Sequence, residues 1–150
     1  MKQKNKCIMI EKIAHWSKTF GLPIKKEEGF PDPARVKLAL ALIEEEYKET
    51  YQACAENDFV EAKDGLGDLL WVTIRAMMEL GIDPEKTINA IYESNMSKAD
   101  ETVEDSIKTH EMYKAKGITT YSRFIDGLYI TYNADTNKAL KSWKWKAPKF

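Results

Sequence analysis

PARVKLALALIEEEYKETYQACAENDFVEAKDGLGDLLWVTIRAMMELG, from Pro33 to Gly81, is the stretch whose spacing settles the fold class. From Pro33 to about Glu56 it lacks glycine and internal proline. It is rich in Ala, Leu, Lys and Glu, with apolar positions at Val36, Ala39, Leu40, Ile43 and Tyr47. This predicts a long helix, with Asp32-Pro33 as its cap and first turn. Asn57-Asp58 breaks the pattern and can cap a further helix, on which Ala62, Leu66, Leu69, Leu70, Thr73, Ala76, Met77 and Leu80 form a wide apolar stripe closed by Gly81.

Outward from this pair, Ile10, Ile13, Ala14 and Phe20 have helical spacing over about Asn5 to Phe20, ended by Gly21 and Pro23. The proline- and glycine-rich GLPIKKEEGFPDP then reads as a loop. Asp83-Pro84-Glu85 signals a fourth helix running towards Met96, and VEDSIKTHEMYKAKG a shorter fifth ending at Gly117. Beyond it the period changes. GLYITYN, the turn-like ADTN and KALKSWKW predict a β-hairpin over about 127–146. The expectation is one mainly α domain over 1–150, a bundle of four to five helices with a small C-terminal β-hairpin.

With 23 basic and 24 acidic residues the formal net charge is −1, so no bulk field favours duplex nucleic acid or an anionic membrane. Cys7 and Cys54 lack metal-ligand spacing, and Glu11 and Lys12 interrupt the apolar run after MKQKNKCIMI before it could serve as a signal or span. A reduced, cytoplasmic setting is expected.

The chemistry concentrates on the two long helices. Glu45, Glu46 and Glu49 share one face of the first, and Glu61, Asp64 and Asp68, spaced i, i+3 and i+7, share one face of the second. Acidic helix faces are usually solvated, but Asp68 lies within GLGDLLWV, whose apolar setting predicts a buried carboxylate that must be paired or metal-bound. Two carboxylates ~6 Å apart at an effective dielectric of ~20 repel by roughly 3 kcal/mol, so facing ridges call for a cation. Oxygen-only donors point to Mg²⁺, with Mn²⁺ as the alternative, and hence to phosphoryl chemistry.

LIEEEYKE, EAKDGLGDLLWV and SNMSK together resemble the motifs of MazG-like pyrophosphohydrolases, particularly small phage and bacterial members related to dimeric dUTPases and phosphoribosyl-ATP pyrophosphohydrolase. The resemblance covers about Arg35 to Lys98. It implies a pocket in which Glu45, Glu46, Glu49 and Asp68 hold Mg²⁺ and serve catalysis, with hydrolysis of a nucleoside triphosphate between its α and β phosphates. It also implies phosphate contacts from Asn95 and Lys98, and a homodimer or homotetramer in the cytoplasm, that of the host if the chain is phage-encoded. The family's second motif is usually ExxD, yet Gly65 stands three residues before Asp68. Asp64 is the expected substitute ligand, with Glu61 in reserve.

Lys138 and Lys141, on the basic and aromatic run towards Trp143 and Trp145, are further candidates for a triphosphate, although lysines on an edge strand commonly prevent aggregation. Arg35 and Arg75 read as salt-bridge formers before phosphate contacts. Trp71, Met77 and Met78 read as core or subunit interface, and His15 and His110 as structural or surface residues. Trp16 and Phe20 read as core packing, although they precede the loop that in the resembled family lies near the nucleotide base. Two rivals remain: a catalytically silent helical module whose acids bind a divalent ion, and a dUTPase-like enzyme that cuts di- and triphosphates.

Overall fold

Asn57 and Asp58 set the turn between the two long helices. A computed structural model describes residues 8–150, with α1 at Ile8–Thr19, α2 at Pro33–Ala55 and α3 at Phe59–Glu79. Any helical turn at Asn5–Cys7 lies outside the described residues. The Asp32 carboxylate accepts the Ala34 amide at 2.8 Å, and Asp58 accepts those of Val60 and Glu61, both at 3.1 Å. Each cap satisfies donors that a helix start leaves open. Asn57, in the left-handed region at φ 59°, reverses the chain between them. The helices therefore run antiparallel, with Thr50 against Gly65 near the turn and Arg35 against Glu79 at the far end.

The chain divides into two compact units, the first ending at Glu85 and the second Lys86–Phe150. In the first, α1 packs on α3 through a small core of Ile13, Ile74 and Met78, flanked by Ile10, Ala14, Ile24 and Trp71. Much of the apolar stripe foreseen on α3 is not in that core, since Leu66 and Leu70 remain 57% and 49% exposed.

The second unit contains most of α4 (Pro84–Met96), then α5 (Val103–Lys114), β1 (Thr120–Ile125) and β2 (Leu128–Asn133). The five helices and the hairpin match the sequence reading, but the hairpin's position differs. Its turn is Asp126-Gly127, at φ 49° and 81°, the doubly left-handed pair that a tight turn between twisted strands demands. β1 is therefore TYSRFI, upstream of the expected first strand. ADTN follows β2 as a side-chain-stabilised turn in which Asn133 accepts the Asp135 and Thr136 amides, both at 2.9 Å. KALKSWKW forms no second strand: after the bridge between Tyr132 and Ala139 it leaves the sheet as an irregular strap. Among the described residues no helix is long and apolar enough to cross a membrane.

Candidate functional site

The antiparallel register of α2 and α3 gathers the acidic side chains. Glu46 is half-buried on α2, whereas Glu45 and Glu49 are exposed, as are Asp64 and Asp68 on α3. The Glu46 carboxyl is held above its ordinary 4.5, first by desolvation and then by the negative charges of Asp68, Glu49, Glu45 and Asp64. The four other carboxylates therefore lie within electrostatic reach of Glu46 across the helix pair. Glu61, the reserve residue, is exposed on α3 one turn before Asp64.

One expectation needs correction. Asp68 is exposed, not buried, because the leucines around it face outward with it. A cavity of about 590 Å³ in this unit, lined by Phe30, Pro31, Val36, Leu40 and neighbours, reaches the acidic stretch at Glu44. Among the described residues, no three His, Cys, Asp or Glu side chains converge closely enough to hold a metal ion. The two observations concern different ranges: Coulomb repulsion acts over several ångströms, whereas cation coordination needs oxygens at about 2.0–2.6 Å. The chemistry of the carboxylates fits a hard divalent cation, being all oxygen, all anionic and centred on a half-buried Glu46 that disfavours its own charge.

Gly65 is buried, and a Cβ there would stand 2.5 Å from Thr50 Oγ1 and 3.2 Å from Thr50 Cα. The helices approach too closely for any side chain, so an acid three residues before Asp68 is sterically excluded. Asp64, one residue earlier, projects beside Asp68 instead.

Arg35 and Arg75 both engage Glu79, which is 2% exposed. Arg35 makes a bidentate pair through Nη2 at 2.7 Å and Nε at 3.2 Å, and Arg75 adds a short contact to the same carboxylate. The guanidinium of Arg75 also stands 5.6 Å from the Trp16 ring centroid. Both arginines thus serve an internal ion-pair cluster. Sequence reading missed Glu79, because its partner Arg35 lies 44 residues away. Trp16 stacks on Phe20 at 4.6 Å and meets Trp71 edge-on at 5.6 Å.

In the second unit Asn95 is exposed and Lys98 half-buried just past the end of α4. Lys138 and Lys141 are exposed on the segment after β2, and the Lys141 ammonium sits 3.3 Å from the Trp145 ring centroid. Trp143 is covered by Lys108 at 4.7 Å and donates from Nε1 to Asp105 at 3.0 Å. Both strap tryptophans are thus occupied by groups of the chain itself. His110 bonds Thr120 and Ser122 through its two ring nitrogens, a structural role as expected.

Residues 14–95 match the sequence profile of the family described as phosphoribosyl-ATP pyrophosphohydrolase. The matched span holds both acidic ridges and Asn95, and ends before Lys98. An uncharacterized protein of Acanthamoeba polyphaga mimivirus is 30% identical over 106 residues, covering 62% of this chain and 42% of the viral protein. The chain therefore spans less than half the length of that relative.

Proposed function

Because the chain belongs to the phosphoribosyl-ATP pyrophosphohydrolase family, within the MazG-like all-α superfamily, we propose that it hydrolyses a (deoxy)nucleoside triphosphate between its α and β phosphates. The products are a nucleoside monophosphate and pyrophosphate, a reaction suited to nucleotide-pool cleaning or remodelling in a cytoplasm. The observation that carries the reading is the pair of acidic faces on α2 and α3, with Glu46 pressed towards its neutral form first by desolvation and then by the charges of Asp68, Glu49, Glu45 and Asp64.

In this reading Glu45, Glu46, Glu49, Asp64 and Asp68 hold Mg²⁺, with Mn²⁺ as a substitute. The bound ion supplies a Lewis acid for the phosphate oxygens and lowers the pKa of a coordinated water. Glu46 is carried on α2, where the Thr50 hydroxyl one turn later donates to the Glu46 carbonyl at 2.7 Å. Asn95 and Lys98 bind the polyphosphate tail through an amide and an ammonium, with Lys138 and Lys141 as further cations. The exposed Tyr47, Tyr51, Leu66 and Leu70 beside the acids support assembly as a homodimer or homotetramer that shields the open ridge from water.

Pyrophosphate release from a panel of nucleoside di- and triphosphates with Mg²⁺ tests the reading. Glu46→Gln and Asp68→Asn should each lower kcat by at least about 100-fold, roughly 2.7 kcal/mol of transition-state stabilisation. Unchanged rates in both would remove the assignment. Gly65 in the ExxD position favours a second reading, a catalytically silent ion-binding module. Silence of the wild type across the panel would establish that alternative, and cleavage of diphosphates would mark a dUTPase-like enzyme.

A further inference from the structure

The C-terminal strap, Lys141–Lys146, has no regular secondary structure, yet its backbone is held almost throughout by side chains of its own unit. Tyr113 Oη donates to the Lys141 carbonyl at 3.0 Å and accepts the Lys141 amide at 3.1 Å. Thr109 Oγ1 accepts the Trp143 amide at 3.1 Å, and Ser142 Oγ accepts that of Lys144 at 3.1 Å. Beneath them lies Asp100, 0% exposed, whose carboxylate accepts the hydroxyls of Thr109 at 2.8 Å and Ser142 at 2.5 Å. Its backbone exchanges hydrogen bonds of 2.9 and 2.8 Å with Tyr129. A buried carboxylate without such partners would be costly, so this satisfied network fixes one geometry for the strap.

At its far end the strap is tied to SNMSK itself. Ser94 Oγ donates to the Lys146 carbonyl at 2.9 Å, and the Lys146 amide donates to Ser97 Oγ at 3.0 Å. Two serine hydroxyls thus reproduce the paired bonds of a β-bridge. Ser97 Oγ also donates to the Ser94 carbonyl at 2.8 Å, filling one of the acceptors left open where α4 ends. Ser94 and Ser97 enclose Asn95 and adjoin Lys98, so the strap is joined to the turn that carries both. Lys98 lies two residues before Asp100, and its segment is therefore pinned from both sides.

We propose that the strap is a positioning element for polyphosphate binding: its hold on Ser94 and Ser97, locked by Asp100, fixes the turn that presents Asn95 and Lys98 to a phosphate tail. This rests on the triphosphate reading above for the identity of the ligand. Ser97 is a positioning residue, since it acts through Asn95 and Lys98. Fixing those two side chains before binding removes part of the ordering cost of association, so its effect belongs on substrate affinity and not on the chemical step.

The test compares wild type, Ser97→Ala and the hydroxyl-retaining Ser97→Thr, using hydrolysis kinetics and hydrogen exchange of the amides of residues 141–146. Exchange is measured with and without Mg²⁺ and inorganic tripolyphosphate. Ser97→Ala should raise KM about fivefold, roughly 1 kcal/mol, with kcat within twofold and faster exchange at Lys146. Ser97→Thr should restore KM. In the wild type, tripolyphosphate should slow strap exchange whether or not any nucleotide is hydrolysed. A wild type that hydrolyses nothing but shows this protection would sink the proposed activity and uphold the strap's role. Faster exchange in Ser97→Ala with KM and tripolyphosphate protection both unchanged would overturn the proposal, leaving the strap purely structural. Absence of both hydrolysis and protection in the wild type would overturn both.

Discussion

Gly65 backs onto Thr50 so closely that a Cβ on the glycine would stand 2.5 Å from the threonine hydroxyl and 3.2 Å from its Cα. Mid-helix glycine costs about 1 kcal/mol relative to alanine, so the position is kept for the helix contact it permits. Gly65→Ala should destabilise by about 1–3 kcal/mol, the range for overpacking, read as a lower denaturation midpoint. Gly65→Glu, which would recreate the usual ExxD spacing, should be worse still. Thr50→Ala should rescue Gly65→Ala only in part, because the backbone contact at 3.2 Å remains.

Asp64 and Glu61 should behave differently when neutralised. The charge of Asp64 acts on Glu46, and Glu61 lies one turn further from Asp68 on α3. Asp64→Asn should raise the Mg²⁺ concentration for half-maximal pyrophosphate release by about tenfold, or 1.4 kcal/mol. Glu61→Gln should leave it within twofold. Equal effects from the two would assign the fourth ligand wrongly.

Stability of the cation-free protein should carry the signature of Glu46. Its folded pKa is raised above 4.5 by desolvation and like charge, so the folded state holds the proton more tightly than the unfolded chain. That contribution is fully present below pH 4.5 and is lost as pH rises through the elevated value. In chelator, Glu46→Gln should therefore melt a few degrees above wild type at neutral pH, with the gap closing towards pH 4. Saturating Mg²⁺ should abolish or reverse the advantage.

Glu79→Ala leaves two guanidiniums without their shared carboxylate. Breaking a buried pair typically costs 3–5 kcal/mol. The expectation here is about 3 kcal/mol, because Arg35 is 31% exposed and can turn to water. Chemical denaturation of the variant measures this, and a loss under 1 kcal/mol would show that the cluster is replaceable.

The helices were legible because their ends are written locally. Asp32-Pro33, Asp58 and Asp83-Pro84 cap or begin α2, α3 and α4, and Gly81 and Gly117 follow α3 and α5 with φ of 73° and 71°. The hairpin was foreseen but displaced, because the eye is drawn to ADTN while the decisive signal is Asp126-Gly127 between two β-rich runs. The exposure of Asp68 was not legible: periodicity marks Leu66 and Leu70 as one face of α3 without saying whether anything covers that face. The Arg35–Glu79 pair and the seating of Ser142 on Asp100 join residues 44 and 42 apart, relationships that no local pattern encodes.

The connection between α2 and α3 is only Glu56, Asn57 and Asp58, and it leaves the two rods a single way to lie together. On the proposed reading, folding alone brings the two acidic helix faces together, and a cation need not organise the chain that receives it. Stripping it with a chelator should leave the far-ultraviolet dichroism of the helices unchanged while catalysis stops.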